Sequence, residues 1–278
     1  MSSPVGFDQP VSMTALINAA ARAQECERPD PLVRDAYAKS LAGDKGRELL
    51  ERFGESFTTI EAVRAKFFDD SICNAVLEGI RQVIMLGAGL DARPYRLSCL
   101  GRQVLWTDVD YEPVLLYKRR VLQDAKPLCK LVNVGRDIRD ASLAQVLAER
   151  GVNLGLGILW VAEGVFQYLK ESEVEDILGR LRASSAPGSE IIFNAQNKAN
   201  LVRTRYNAKT LDLMEELGTP WTFTTESPAD LLNRHGFDPK IIFLGHTRAH
   251  YGRLPWPPSD SPSVGFACEW LVTGHVKG

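Results

Sequence analysis

The chain has 278 residues, of which 45% are hydrophobic and 24% are charged, so it can bury a substantial core. Lysine and arginine together number 33 against 35 for aspartate and glutamate. This balance excludes an overall basic field that would attract nucleic acid or an acidic membrane surface, and it favours an enzyme that acts on small molecules.

The chain carries no recognisable targeting or metal-binding pattern. Its start, "MSSPVGFDQPVSM", is neither cationic nor apolar, and no apolar run reaches the ~18 residues that span a bilayer. We therefore expect a cytoplasmic protein that binds no membrane. The five cysteines lack any CxxC pair, which predicts reduced thiols and no zinc site; they are Cys26, Cys73, Cys99, Cys129 and Cys268. The four histidines show no metal-ligand spacing, so we predict no metal.

Residues from about 11 to 80 have the pattern of helices. The segments "SMTALINAAARAQE" and "TTIEAVRAKFFDDSICNAVLEGI" place apolar residues at helical spacing, and "ERPDPLVRD" is a turn broken by prolines. We predict an N-terminal helical cap over residues 1–80.

From residue 82 onward, short apolar runs alternate with helical segments, which is typical of a parallel sheet covered on both faces. The predicted strands lie at 82–86, 103–109, 129–134, 156–162 and 190–195, and the predicted helices at about 92–99, 111–125, 140–150 and 171–185. A helical insert follows at about 198–225, and two late strands at 239–245 and 266–274 predict a hairpin closing one edge. The predicted fold is α/β, with residues 81–278 as its core.

The first predicted strand runs into the glycine turn "GAGLDA", which fits the pattern G-x-G-x-x-[GA] with Gly87 and Gly89. Glycine allows a sharp turn and lets a ligand approach the backbone, while the following helix offers free N–H groups. Asp108 and Asp110 follow Gly87 by 21 and 23 residues, where a carboxylate accepts the hydroxyl groups of a ribose. The sequence therefore predicts a nucleoside site, although tight packing of the turn on the helix would also explain the glycines.

Two kinds of nucleoside cofactor use such a turn. Asp91 lies within it and would repel the pyrophosphate of a dinucleotide, whereas it would attract the sulfonium of S-adenosyl-L-methionine. Asp91 could instead cap the helix that follows. An NAD-dependent oxidoreductase and a non-catalytic nucleoside-binding protein are therefore alternatives to a methyltransferase.

Several blocks of the chain resemble the leucine carboxyl methyltransferase-like family of S-adenosylmethionine-dependent O-methyltransferases, which includes small bacterial members acting on natural products. The blocks are "ARAQECERPDPLVRDAYA", "VRAKFFDD", "LGAGLDARPYRL", "DVDYEPVLLYKRRVL", "GRDIRD", "AEGVFQYL" and "YGRLPWP". The resemblance implies S-adenosylmethionine as cofactor. It also implies the class I methyltransferase fold, a Rossmann-like seven-stranded sheet with helices on both faces, an N-terminal helical cap and a helical insert after strand 5.

The resemblance also implies roles for single residues. Arg64 would bind the methionine carboxylate and Glu163 the methionine amino group, while Asp110 would bind the ribose. Asp137 would accept the adenine amino group and Ile138 would cover the ring. The residues themselves allow simpler interpretations: a surface ion pair of Arg64 with Glu61, a helix cap at Asp137, and a plain loop glutamate at Glu163.

Two residues are predicted to act on the methyl acceptor as catalytic residues, Tyr168 and His250. Tyr168 matches a family tyrosine near the acceptor, although it could equally belong to the core. A carboxylate acceptor is already anionic near pH 7 and needs no base, whereas a phenol or alcohol would need one, for which His250 or His246 is the candidate. We predict methylation of a small-molecule carboxylic acid in natural-product biosynthesis, with a hydroxyl group or a protein C-terminal carboxylate as alternatives.

Overall fold

The computed structural model describes residues 10–53, 55–204, 207–262 and 267–277. Within these residues the strands are β1 (Gln82–Leu86), β2 (Leu105–Asp110), β3 (Lys130–Gly135), β4 (Leu159–Ala162), β5 (Glu190–Gln196), β6 (Phe237–Phe243) and β7 (Glu269–Val276). They form one sheet in the order β3-β2-β1-β4-β5-β7-β6, with β1 to β5 parallel and β7 antiparallel to both its neighbours. The predicted α/β sheet and its edge hairpin are confirmed, and β7 is the hairpin strand that pairs with β5.

The helices of the described residues are α1 (Pro10–Cys26), α2 (Ala38–Leu50), α3 (Glu55–Leu77), α4 (Arg93–Arg96), α5 (Glu112–Val121), α6 (Leu143–Glu149), α7 (Glu171–Ala183), α8 (Ala208–Glu216) and α9 (Pro228–Arg234). Helices α1 to α3 precede the sheet, as the helical spacing predicts, and α8 lies in the predicted insert. The helix predicted at about 92–99 is a single turn, because the backbone of Leu97 is extended with ψ 111°.

Both faces of the sheet are buried, which explains why its strands are continuously apolar. Ile84 of β1 points to one face and packs with α7, whereas its neighbour Met85 packs on the other face with Phe68 of α3. Successive side chains of a strand point to opposite sides, so a strand covered twice needs an apolar residue at every position.

Helices α1 and α2 lie over the turn that follows β1. Leu16 of α1 and Leu41 of α2 belong to one buried cluster with Leu90 of the turn and Val114 of α5. This packing places α1 beside the carboxyl ends of the strands. Helix α3, in contrast, packs directly on the sheet, and the division of the chain at residue 80 into a cap and a core stays a prediction.

The expectation of five reduced cysteines was wrong for one pair. Cys73 of α3 and Cys99 after α4 form a disulfide, with their Cα atoms 5.5 Å apart. They are 26 positions apart in the sequence, and no local spacing signals the pair because the packing of α3 beside α4 brings them together. Cys26, Cys129 and Cys268 are free thiols.

The topology creates a crevice at the centre of the sheet. Strands β2 and β3 lie on one side of β1, and β4 lies on its other side. The loops that follow β1 and β4 therefore diverge at the carboxyl end of β1. Open α/β sheets bind ligands at this point. In the described ranges, no helix has the length and apolar content needed to cross a membrane, and no group of three metal-ligating side chains comes together.

Candidate active site

A cavity of about 200 Å³ lies at this crevice, between α1, α3 and the carboxyl ends of β1 to β4. The predicted site residues that line it are Arg64, Gly87, Gly89, Asp110, Asp137, Ile138, Glu163 and Tyr168. Their positions span 105 residues of sequence, and the parallel strands bring them together because each loop leaves the sheet at the same edge. Of the predicted residues, His250 is the one outside this lining.

The glycine turn has a backbone that other residues rarely adopt. Gly87 and Gly89 have φ angles of 63° and 48°, in the left-handed region. A Cβ atom on Gly87 would also lie 2.6 Å from Cγ2 of Val165, so a larger residue would collide with the loop after β4. The turn is therefore held close to that loop, with its backbone exposed to the cavity.

Asp110, at the end of β2, lines the cavity and is hydrogen-bonded to the glycine turn. Its carboxylate accepts hydrogen bonds from the backbone N–H groups of Gly89 and Tyr111, both at 2.6 Å. Burial raises the pKa of Asp110 to about 6, although the two N–H donors act in the opposite direction.

Asp108, the other candidate for binding the ribose, contacts side chains of the protein interior instead. It is fully buried, accepts a hydrogen bond from Nε1 of Trp106 at 2.8 Å and forms an ion pair with Nζ of Lys118 at 2.7 Å. It does not line the cavity. The structure thus brings Asp110, and not Asp108, to the predicted site.

Arg64 of α3 lies at one end of the cavity with a carboxylate at each guanidinium nitrogen. Glu61 contacts Nη2, Glu163 lies 3.4 Å from Nε and Glu269 lies 3.3 Å from Nη1. Burial opposes the charge on Arg64, but the three carboxylates raise its pKa above the ordinary value. The ion pair with Glu61 exists, but it is buried and not the surface pair that the spacing alone would allow.

Glu163 is shared between Arg64 and a second buried cation, Arg93. Nη2 of Arg93 lies 2.7 Å from Glu163, and its Nε donates to Asp69 at 2.6 Å. Arg93 also contacts Asp91, whose Oδ1 accepts the backbone N–H of Arg93 at 2.7 Å in the turn before α4. Burial alone would raise the pKa of Asp91, but Arg93 and other cations lower it below the ordinary range. Asp91 lines the cavity, but it does not cap α4, because the flanking residue of that helix is Ala92 and no side chain caps it.

The opposite end of the cavity contains Asp137 and Ile138, which follow β3. The carboxylate of Asp137 accepts the hydroxyl of Tyr111 at 3.1 Å, the backbone N–H of Arg139 at 2.8 Å and the Arg139 guanidinium at 2.6 Å. These bonds to Arg139 lower the pKa of Asp137. Asp137 does not cap α6, whose N-terminal flanking residue is Ser142. A carboxylate edge beside the apolar Ile138 therefore faces the cavity.

The predicted catalytic residues have different locations. Tyr168 lines the cavity and packs with Ile17 of α1 and Met214 of α8, and burial raises the pKa of its phenol. His250 lies in a separate loop, where its Nε2 donates to the Trp256 carbonyl at 2.6 Å and its Nδ1 accepts the N–H of Gly252 at 3.1 Å. Both ring nitrogens of His250 are thus used within that loop.

His246, the other candidate base, is also outside the cavity lining, and its Nδ1 accepts the backbone N–H of Arg248 at 3.1 Å. The charged residues that sequence reasoning missed include Arg93, which lines the cavity, and Glu269, which pairs with Arg64. Arg93 stands two residues after Asp91, so the turn could have indicated it. Glu269 is 205 positions from Arg64 and carries no local signal.

The order of groups along the cavity fits a particular kind of molecule. One end offers a guanidinium and carboxylates, which suit a zwitterionic amino acid. The middle offers a glycine turn and the carboxylate of Asp110, and the far end offers Asp137 and an apolar side chain, which suit a ribose and a purine. Asp91 adds negative charge beside the turn, which would repel a pyrophosphate.

Comparison with known proteins gives an independent view. The profile of a family described as leucine carboxyl methyltransferase matches residues 15–182. A candidate S-adenosyl-L-methionine-dependent methyltransferase from Streptomyces coelicolor is 31% identical over 275 residues, covering 84% of this chain and 89% of the relative. One from Mycobacterium tuberculosis is 35% identical over 214 residues, covering 69% and 68%.

Solved structures support the fold. A crystal structure of a candidate methyltransferase from Thermobifida fusca matches with a TM-score of 0.64 at 18% identity, covering 99% of this chain and 98% of that one. A protein from Streptomyces avermitilis matches with a TM-score of 0.63 at 14% identity, covering 93% and 97%. At such low identity these likenesses speak for the architecture and not for the reaction.

Proposed function

Since the chain belongs to the leucine carboxyl methyltransferase family and is an S-adenosyl-L-methionine-dependent methyltransferase, we propose that it methylates a carboxylate of a small molecule to give a methyl ester. The fold is that of the class I methyltransferases, and the nicotinamide alternative is set aside. S-adenosylmethionine supplies a methyl group made reactive by its sulfonium.

The charged end of the cavity would hold the methionine part of the cofactor. Arg64 offers parallel N–H donors for the carboxylate, and Glu163 offers an acceptor for the amino group. Arg93, bound to Glu163 at 2.7 Å, would fix the orientation of that acceptor. This assignment is supported by the burial of Arg64 and Arg93 and by the low exposure, 12%, of the Glu163 side chain beside them.

The remaining cofactor contacts would come from the other strands. Asp110 would accept the ribose hydroxyl groups, and Gly87 and Gly89 would let the backbone approach the sugar. Asp137 would accept the adenine amino group, with Ile138 against the ring. Arg139 now donates to the same carboxylate of Asp137, so its half-exposed side chain would have to share or yield that position.

One observation carries the choice of a carboxylate acceptor: among the described residues, no histidine lines the cavity. The pKa of Tyr168 is raised by burial, so its phenol stays protonated near pH 7 and can donate a hydrogen bond but cannot act as a base. A carboxylate acceptor needs no deprotonation, and the site only has to align it and exclude water. We propose that the hydroxyl of Tyr168 orients the acceptor.

A hydroxyl acceptor is the second candidate, because one lining group has a pKa near neutrality. Burial raises the pKa of Glu61 to about 7, although Arg64 opposes the shift. A carboxylate with that pKa could remove a proton from a phenol or alcohol. Its direct contact with Arg64 makes it less available for this role.

The carboxylate and the hydroxyl acceptor can be distinguished by how stable the methylated product is in alkali. The protein would be incubated with S-adenosylmethionine carrying a labelled methyl group and with sets of carboxylic acids, phenols and peptides ending in a free carboxylate. We expect label on small acids that is released by mild alkali, as for a methyl ester. Label that resists alkali and appears on phenols would contradict the proposal, and label on peptides alone would show a protein acceptor.

The variant Tyr168→Phe refines this test. It removes the hydroxyl and keeps the ring that packs with α1 and α8. We expect kcat to fall about tenfold, as for loss of one positioned hydrogen bond, while the affinity for S-adenosylhomocysteine is unchanged. Unchanged kcat with the best acid would remove Tyr168 from the acceptor site.

A further inference from the structure

The guanidinium of Arg64 already faces three carboxylates of the protein. Each of its three nitrogens faces a different carboxylate, from Glu61, Glu163 and Glu269. A carboxylate ligand that binds an arginine through two parallel bonds needs N–H groups from two of these nitrogens. These contacts use three of the five N–H groups of the guanidinium, so a ligand carboxylate bound there would place a fourth negative group against this single cation. The accumulated negative charge then favours the loss of charge on one of the glutamates.

The three glutamates are held to different extents. Glu163 also pairs with Arg93 at 2.7 Å, and Glu269 also accepts from Nδ2 of Asn194 at 2.8 Å. Asn194 is fixed in turn, because its Oδ1 accepts the backbone N–H of Gly164 at 2.7 Å. For Glu61, the ion pair observed among the described residues is the one with Arg64.

The surroundings of Glu61 favour its neutral form. Its side chain on α3 is faced by Arg64 of the same helix, by Glu163 after β4, by Glu269 of β7 and by the phenol of Tyr168. Burial and the carboxylates of Glu269 and Glu163 together raise its pKa to about 7, although Arg64 opposes the shift. A fourth carboxylate brought to Arg64 would add to the same repulsion.

We propose that Glu61 is a proton-linked residue of the cofactor site, which takes up one proton from solvent when the cofactor's carboxylate binds Arg64 and releases it when the cofactor leaves. The inference rests on the proposed role of Arg64. Protonation removes the charge that competes for the guanidinium. It also turns Glu61 into an O–H donor that can remain beside the incoming carboxylate. Glu61 would then be neutral in the loaded enzyme and unable to act as a base.

The first test is the pH dependence of cofactor affinity, with S-adenosylhomocysteine as the probe in calorimetric titrations. If binding takes up a proton at Glu61, Kd rises as pH increases above about 7, approaching tenfold per pH unit. The variant Glu61→Gln carries a neutral donor at this position, so its Kd should be nearly flat over the same interval. At about pH 8.5 it should bind about thirtyfold more tightly than the wild type.

The matched control is Glu269→Gln, which removes a different carboxylate from the same guanidinium. It should keep the rise of Kd with pH, but the rise should begin at a lower pH because Glu269 no longer raises the pKa of Glu61. The amino group of S-adenosylhomocysteine titrates in every variant, so its effect cancels in the comparison. Equal pH dependence in the wild type and Glu61→Gln would overturn the inference.

A measurement on the wild type alone covers the case in which Glu61→Gln does not fold. Titrations in phosphate and in Tris at about pH 7.5 give the number of protons taken up on binding. We expect more than half a proton for S-adenosylhomocysteine and none for 5′-methylthioadenosine, which lacks the amino-acid end. Equal proton uptake for the two ligands would overturn the proposal.

Failure of the Arg64 assignment would look different. Arg64→Lys keeps the positive charge and loses the parallel N–H donors, so it should weaken S-adenosylhomocysteine about tenfold or more and leave 5′-methylthioadenosine unaffected. If Arg64→Lys and Arg64→Ala both keep the wild-type affinity, the proposed methionine site is wrong. If they lose affinity while the wild type binds without proton uptake, the inference about Glu61 alone is wrong.

Discussion

Two aspartates of strand β2 illustrate how neighbouring residues of one type differ in role. Asp110 lines the cavity and accepts N–H groups of the glycine turn, whereas Asp108 is buried against Lys118 and Trp106. We expect Asp110→Ala to raise the Kd of S-adenosylhomocysteine about ten- to a hundredfold, because a hydrogen bond to a charged group is worth ~1.5–3 kcal/mol. Calorimetric titration would measure this change.

Asp108→Ala should act on stability instead. It leaves the ammonium of Lys118 buried without its partner, which costs about 3–5 kcal/mol in comparable cases. Denaturant unfolding should show this loss, while the folded fraction binds S-adenosylhomocysteine with nearly the wild-type affinity. Equal losses of affinity in the two variants would contradict the assignment of the ribose to Asp110.

The turn between β1 and α4 depends on glycine for two reasons that can be measured separately. At Gly87, a Cβ atom would be strained by the φ of 63° and would meet Val165 at 2.6 Å. Gly151 has a φ of 96° but open space around it, so Gly151→Ala reports the strain alone, about 1–2 kcal/mol. We expect Gly87→Ala to lose more free energy of unfolding than Gly151→Ala and also to weaken cofactor binding. If the two variants lose similar free energies of unfolding and Gly87→Ala still binds the cofactor, the loop after β4 moves aside at little cost.

The elements that form the site were predictable to different degrees. Strand β1, the glycine turn and Asp110 follow from local apolar runs and a fixed spacing, which sequence encodes directly. Helix α4 is shorter than its pattern because Leu97 is extended and ends it after Arg96. His250 has the chemistry of a base, but its two ring nitrogens are used by backbone groups of its own loop, and a sequence cannot show this.

Contacts between distant parts of the molecule were the least predictable. Glu269 reaches Arg64 because β7 inserts between β5 and β6, which places the start of that strand near the crevice. Arg93 is almost fully buried although arginine is usually exposed, because Asp69, Asp91 and Glu163 surround it. Such charge clusters form because helices pack on the sheet in a particular arrangement. The hydrophobic periodicity of a single sequence does not show that arrangement.

The disulfide between Cys73 and Cys99 joins helix α3 to the segment after α4. Its removal should therefore change the stability of the whole folded chain. Closing a loop of 26 residues should stabilise the folded chain by ~3.5 kcal/mol through the loss of unfolded-state entropy. We expect a thiol reductant to lower the wild-type free energy of unfolding by about this amount. The variant Cys73→Ser should be less stable from the start and should not respond to reductant.

Cofactor affinity should survive reduction, because other bonds hold the same two elements in register. Asp69 of α3 pairs with Arg93 at 2.6 Å and with Arg96 at 2.6 Å, both from α4. These buried pairs keep Arg93 aligned with Glu163 when the sulfur bridge is absent. We therefore expect the reduced protein to bind S-adenosylhomocysteine as the oxidised protein does at temperatures well below unfolding. A wild-type unfolding curve that does not change with reductant would show that the two thiols are not bonded, and a large loss of affinity would show that the ion pairs do not suffice to align α3 with α4.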